Sequence, residues 1–284
     1  MAIVSRFAPS PTGRLHLGHA FSAVRAHDLA REKGGQFLLR IEDIDGTRSR
    51  EAFVAGIEED LRWLGLAWDG PVLRQSERME VYADALERLK AMELVYPCFC
   101  TRAEIAASAS APHGPEGSVY PGTCQPLSDT ERAARMRQPH CWRIDMAAAV
   151  TRTGPLRWHD DHAGWVEADP SSAGDVVLAR KETPTSYHLA VTVDDAAQGV
   201  TDVVRGVDLF EATHVHRLLQ ALLCLPTPLY RHHPLLVGGD SKRLAKRNGA
   251  RPLAELRAEG ADPGALLAAL RSGQVPIGAT GTEA

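Results

Sequence analysis

Residues 3–19, IVSRFAPSPTGRLHLGH, constrain this chain more than any other stretch. A short apolar run ending at Phe7 breaks into a loop punctuated by Pro9, Pro11 and Gly13, and His16 and His19 follow with Gly18 beside the second. Helical periodicity starts directly afterwards. A strand that feeds a helix through such a loop leaves backbone N–H groups unpaired at the helix start, where the dipole also favours negative charge. The turn is therefore a ready site for a polyanion. His16 and His19 stand at its mouth as donors to a phosphoryl group whose charge moves during reaction. Two histidines in a surface loop would satisfy the same string, so the surrounding residues decide.

Those residues keep a recognisable order. Arg6-Phe7-Ala8-Pro9-Ser10-Pro11-Thr12-Gly13 precedes His16-Leu17-Gly18-His19, and Arg40-Ile41-Glu42-Asp43-Ile44-Asp45 with Thr47-Arg48 follows. Later come Tyr187-His188-Leu189-Ala190, Gly199-Val200-Thr201-Asp202-Val203-Val204-Arg205-Gly206 and Arg243-Leu244-Ala245-Lys246-Arg247. Together they resemble the class I aminoacyl-tRNA synthetases, and within them the glutamyl branch, from residue 3 to about 251. The first histidine segment is similar to the family's HIGH signature. The last segment is similar to a degenerate KMSKS, with Arg for the first Lys and Ala for the Ser; a solvated basic loop is its plainer reading.

Hydrophobic patterning gives an α/β chain. Residues 36–42 read as a buried strand, and 48–64 and 77–92 as helices with apolar residues at helical spacing. Strands alternating with helices mean a largely parallel sheet with ligands at the carboxyl ends of its strands. Alternation lapses between about 98 and 170, where a Ser/Pro/Gly-rich loop at 108–117 and short candidate strands at 142–146 and 156–159 occur. It resumes at 175–180, 187–193 and 200–205, read as strands, with a helix over about 213–223 and short helices over 253–271. The resemblance turns this into a Rossmann-type catalytic domain in two halves, 1–97 and 175–252. An insertion over 98–174 carries a zinc site and an acceptor-binding-like region, and 253–284 forms a short helical C-terminal segment.

An amino acid with a carboxylate side chain calls for a guanidinium, whose planar fork selects geometry as well as charge. The resemblance implies that Arg6 and Arg205 contact substrate glutamate and Glu42 its α-ammonium group, with Tyr187, Ala8 and Ser10 lining the pocket. It assigns His16, Gly18, His19, Arg243 and Lys246 to ATP, with His16, His19 and Lys246 catalytic and Mg²⁺ accompanying the nucleotide. No side-chain nucleophile is required, since positioning and charge stabilisation supply the rate. Val191 departs from the pattern, because the ordinary glutamyl enzymes carry Asn there and an apolar side chain cannot replace an amide hydrogen bond.

Cys98, Cys100 and Cys124 cluster among five cysteines, and such clustering points to metal before disulfide in a cytosolic chain. Cys98 and Cys100 share one face of an extended segment. Three thiolates and one further ligand make a closed, structural zinc site. The resemblance makes the fourth ligand Tyr120, while His113 and Cys141 are chemically more ordinary choices. Cys224, after an apolar helix face, is expected in the core.

The formal net charge of −4 argues against generic nucleic-acid binding and leaves a local basic face as the way to hold RNA. No apolar run approaches membrane-spanning length and no basic-then-apolar leader is present, so a cytoplasmic monomer without membrane contact is expected. Too little of the 284-residue chain follows Arg251 for an anticodon-binding part. The resemblance therefore narrows to the glutamyl-queuosine tRNA(Asp) synthetases, truncated glutamyl paralogues. It implies that the queuosine-bearing anticodon stem-loop of tRNA(Asp) enters the active site, with Lys242, Arg243 and Arg247 on its phosphates. The alternatives are a core glutamyl-tRNA synthetase charging tRNA(Glu), a small-molecule nucleotidyltransferase sharing the HxGH turn, and an inactive zinc-bearing binding module.

Overall fold

A computed structural model describes residues 2–101, 103–105, 119–236 and 251–273. Strand β1 (Val4–Phe7) passes through the Pro/Gly loop into α1 (Leu17–Glu32), followed by β2 (Gln36–Ile41), α2 (Glu51–Trp63) and the short β3 (Leu73–Arg74). Next come α3 (Met79–Ala91), β4 (Val95–Cys98), α4 (Asp129–Arg135), β5 (Cys141–Ile144) and α5 (Met146–Thr153). The hairpin β6 (Arg157–Asp160) and β7 (Gly164–Glu167) leads to β8 (Val177–Ala179), α6 (Tyr187–Ala197), β9 (Asp202–Gly206), α7 (Ala212–Leu222) and β10 (Leu229–His233). Helices α8 (Leu253–Ala258) and α9 (Pro263–Arg271) close the described chain.

The central sheet has the order β3-β2-β1-β9-β10-β6-β7 and is parallel except for the β6–β7 hairpin. From β1 the chain first builds outward through β2 and β3, and later returns to place β9 on the other side of β1. That reversal opens a crevice beyond the carboxyl ends of β1 and β9. Arg6 and Arg205 sit near those two ends, so the topology alone brings them to one place. On one side of the sheet, α1 turns Leu17, Ala20, Phe21, Ala23, Val24, Ala26 and Ala30 inward, joined by Leu253 and Leu256 of α8 and Leu266 and Leu270 of α9. The alanines let the helix lie close to the strands. A second core gathers α3, α5, α6 and α7, and a three-stranded antiparallel sheet, β4-β5-β8, stands apart.

Three expectations change. Residues 187–193 are helical, not a strand. Val191, Thr192 and Val193 read as β-formers, but the helical penalty for such residues is only tenths of a kcal/mol. Leu189, Ala190 and Val193 are buried against α3 and α7, which outweighs it. Val191 is 2% exposed and does not line the cavity that Arg6 and Arg205 share. Residues 157–167, read as part of the insertion, extend the central sheet instead. Cys224 is exposed: α7 ends at Leu222, and Cys224 takes a left-handed backbone (φ 54°) that turns it off the helix's apolar face.

Candidate active site

The first wall of the site is the start of α1. His16 is its N-cap, and its Nδ1 accepts the Gly18 N–H at 3.1 Å, while His19 Nδ1 accepts the His16 N–H at 3.2 Å. The two rings stack at 3.8 Å between centroids. A ring nitrogen that accepts a backbone N–H carries no proton, so this reciprocal capping assigns the proton of each neutral ring to Nε2. Each signature histidine is thereby fixed as an Nε2–H donor at the positive end of a 16-residue helix.

A cavity of about 710 Å³ extends from that helix mouth. Arg6, Ala8, Ser10, His16, Gly18, His19, Glu42, Tyr187 and Arg205 all line it, so every residue expected for glutamate, and three of those expected for ATP, meet in one place. Phe21, Gly206, His233 and Leu236 complete parts of the wall. Gly206 has a local reason: a Cβ there would lie 2.4 Å from Asp208 Oδ1 and 2.8 Å from Leu235.

The two arginines are not equivalent. Arg6 Nε lies 2.9 Å from Asp195 Oδ1 and its Nη2 3.3 Å from Oδ2, while Arg40 Nη2 reaches Oδ1 at 2.6 Å. Asp195 thus neutralises Arg6 from behind and leaves Nη1, 3.4 Å from the Val204 carbonyl, as its least engaged nitrogen. Arg205 is 5% exposed and its hydrogen-bond partners are neutral. Nε donates to His232 at 3.1 Å, Nη1 to Tyr187 Oη and His216 Nδ1 at 3.3 Å each, and Nη2 to Thr213 at 2.5 Å. Among the described residues no carboxylate pairs with it. A buried cation without a counter-charge is costly unless a ligand supplies one.

Glu42 is half-buried on the same wall. Burial pushes its carboxyl up to about 7, against the pull of Arg40 and Arg6, with Asp195 and Asp194 adding to the rise. Such a group gains most from an ammonium placed beside it. The rest of its motif is structural. Asp43 accepts from Ser76 N and Oγ and from Arg74, and Asp45 holds Thr47 and Arg48.

Pattern reading missed Asp195, Asp160, Thr213, His188, His216 and His232, all of which brace this site. The i, i+3 spacing of Thr213 and His216 was the available signal, since it puts both on one face of α7. Lys246 and Arg243, with Lys242 and Arg247, lie outside the described residues. The described chain on either side of them reaches the cavity: Leu236 lines it, and Pro252 bridges to His16 while Leu253 N–H donates to the Leu15 carbonyl at 2.9 Å.

The cysteine cluster forms at the end of β4. The ligand atoms of Cys98, Cys100 and Cys124 all lie within 4.8 Å of one another, with Cys100 and Cys124 Sγ 3.5 Å apart. Tyr120 Oη is 3.4 Å from Cys98 Sγ and 3.7 Å from Cys100 Sγ. Four donors around a tetrahedral zinc stand roughly 3.6–3.8 Å apart for Zn–S and Zn–O bonds of about 2.3 and 2.1 Å. The three thiols are compatible with a zinc ion, and the Tyr120 phenol is the oxygen donor beside them. Cys141, the cross-strand partner of Cys98, is not in the mutually close group, and His113 lies outside the described residues. Burial raises the Cys100 thiol to about 11, a cost that a bound divalent cation reverses.

Comparison with known proteins shows the family of the chain. Residues 2–280 match the family model of the class I tRNA synthetases (E and Q), catalytic domain. The chain belongs to that family. It is therefore a ligase of the aminoacyl-tRNA synthetase type. It is 54% identical over 270 residues to a Glutamyl-Q tRNA(Asp) synthetase of Rhodobacter capsulatus, covering 92% of this chain and 97% of the relative. A protein of the same name from Symbiobacterium thermophilum is 46% identical, with 92% and 83% covered. Among solved structures, a glutamate–tRNA synthetase of Elizabethkingia anophelis superposes with a TM-score of 0.81 at 27% identity over 95% of this chain. A glutamate tRNA ligase of Elizabethkingia meningosepticum, in complex with its amino acid, gives 0.74 at 28% over 88%. The chain spans 61% and 53% of those two chains, respectively. No described helix is long and apolar enough to cross a membrane.

Proposed function

We propose that this chain activates L-glutamate with ATP as glutamyl-adenylate and transfers the glutamyl group to the queuosine base in the anticodon of tRNA(Asp). The observation that carries the first step is Arg205, a buried guanidinium at the cavity wall whose protein partners are neutral. A ligand carboxylate completes it. Arg6 Nη1 adds a second donor, Glu42 takes the α-ammonium group and Tyr187, Ala8 and Ser10 shape the wall. A substrate α-carboxylate oxygen then attacks the α-phosphorus of ATP. The new O–P bond forms as the bond to the bridging oxygen breaks, and pyrophosphate leaves with the electron pair.

The Nε2–H groups of His16 and His19 donate to phosphate oxygens as charge moves onto them, with Gly18 allowing close approach. Lys246 and Arg243 supply cations from the second signature, and Mg²⁺ accompanies the nucleotide. Zinc on Cys98, Cys100, Tyr120 and Cys124 would hold the β4–β5 unit in shape. In the second step a hydroxyl oxygen of the base's diol attacks the adenylate carbonyl. The bond to phosphate breaks, AMP departs and the hydroxyl proton goes with it. The acceptor assignment draws its support from the relatives named Glutamyl-Q tRNA(Asp) synthetase, which this chain matches along most of their length. With tRNA and ATP as its substrates, a cytoplasmic reaction is part of this proposal.

Glutamate-dependent ATP–pyrophosphate exchange tests the first step. Charging of queuosine-containing against unmodified tRNA(Asp) tests the second, with an alkali-labile product that also forms on the isolated anticodon stem-loop. Charging of tRNA(Glu) with none of queuosine-containing tRNA(Asp) would overturn the acceptor.

A further inference from the structure

Two hydrogen-bond chains converge on Arg205. Behind Nε, His232 Nε2 is an acceptor, so its proton is on Nδ1, which donates to Asp160 Oδ2 at 2.8 Å. Asp160 also accepts from the backbone N–H groups of His162, Ala163 and His232 at 2.9, 3.0 and 3.1 Å. Those four bonds require an ionised carboxylate, but one imidazole away from the guanidinium. Beside Nη1, His216 Nδ1 is likewise an acceptor, which puts its proton on Nε2, facing His188 Nδ1 at 3.2 Å. Burial and the Arg205 charge push His216 well below the usual range and His188 and His232 down to about 4. All three are neutral at physiological pH. A protein seeking only to bury Arg205 would place an acid against it, as it does with Asp195 against Arg6.

We infer that His216, His232 and Thr213 are positioning residues that fix Arg205 by neutral acceptors alone, and that this neutrality is what makes the cavity select an anionic side chain over its amide. The inference rests on the glutamate reading above. An acid at His216 or Thr213 would still accept from Arg205 but would already balance its charge. The carboxylate of glutamate would then gain little over the amide of glutamine.

The His216→Gln and His216→Glu variants differ only in that charge. Gln reproduces both bonds of His216, an oxygen toward Arg205 and an N–H toward His188, whereas Glu keeps the first and lets His188 turn its proton around. The expected result is a KM for glutamate raised about threefold in His216→Gln. In His216→Glu it should rise on the order of a hundredfold further, as follows from a like charge roughly 6 Å from the substrate carboxylate at an effective dielectric of about 20. The maximal exchange rate should change far less, and the preference for glutamate over glutamine should collapse only in the Glu variant. Equal KM values in the two variants, with equal melting temperatures, would overturn the inference. Should His216→Glu not fold, the Thr213→Asn and Thr213→Asp pair poses the same question at Nη2, with the same two outcomes. Wild-type protein lacking glutamate-dependent exchange would instead refute the proposed activity, which separates the two failures.

Discussion

Lowering the pH from 8 to 6 should raise the KM for glutamate about tenfold while leaving the maximal exchange rate nearly unchanged. Glu42 is the reason. Burial raises its carboxyl to about 7 in the empty site, so a pH change across that value alters how much of the protein can receive an ammonium group. About nine-tenths of the protein carries the carboxylate at pH 8 and about one-tenth at pH 6, and apparent affinity scales with that fraction. The sign follows from the partner. An ammonium beside Glu42 lowers its pKa, so binding releases a proton near neutrality and strengthens as pH rises. His188 and His232 are held down to about 4 by burial, and Asp60, raised to about 6, faces Arg257 away from the cavity. The assay is pyrophosphate exchange at saturating ATP, with KM and maximal rate fitted separately at each pH. A Glu42→Gln protein should show a high KM that is flat over the same range. A wild-type KM independent of pH, or a Gln variant with the wild-type slope, would refute the assignment of Glu42 to the ammonium group.

Ala at His16 or His19 should slow adenylate formation by about a hundred- to a thousandfold, the usual cost of one preorganised donor. Calorimetric glutamate binding should stay close to wild type, since the proposed role of these rings is toward the nucleotide's phosphates and not the amino acid. Protein prepared without chelator should contain close to one zinc per chain; zinc-free protein with freely titratable cysteines would end that assignment, and unchanged zinc in Tyr120→Phe would move the fourth ligand elsewhere. Asp195→Asn should lower stability by about 3–5 kcal/mol, because two buried guanidinium groups lose their shared carboxylate. Denaturant unfolding measures this, and a change under about 1 kcal/mol would show that Arg6 and Arg40 find other partners.

The local signals in the chain were sufficient for the parts of the site that are contiguous. A strand, a Pro/Gly turn and a periodic helix locate the helix mouth without reference to anything distant, because capping and dipole act within one turn, whereas the two histidines read as a site only through the motifs that follow them in order. The same holds for α2 and α3, whose apolar spacing stands in the sequence as it does in the protein. Residues 187–193 were misread because the preference of Val191-Thr192-Val193 for extended backbone is weak, and burial against α3 and α7 overrides it. Cys224 failed similarly, since a single left-handed residue decides which way the chain leaves a helix.

The sequence by itself put Arg6 and Arg205 at the carboxyl ends of strands, and the family resemblance assigned both to one pocket; the chain's reversal across β1 is what makes those two strands neighbours. Only the tertiary structure decided what each of them can do there. Asp195 arrives from α6 to neutralise Arg6, while Arg205 is braced by His216 and Thr213 from α7 and by His232 from β10, with Asp160 of β6 behind it. The charge left over for a substrate is a sum over partners far apart in the chain, and no local pattern carries that sum.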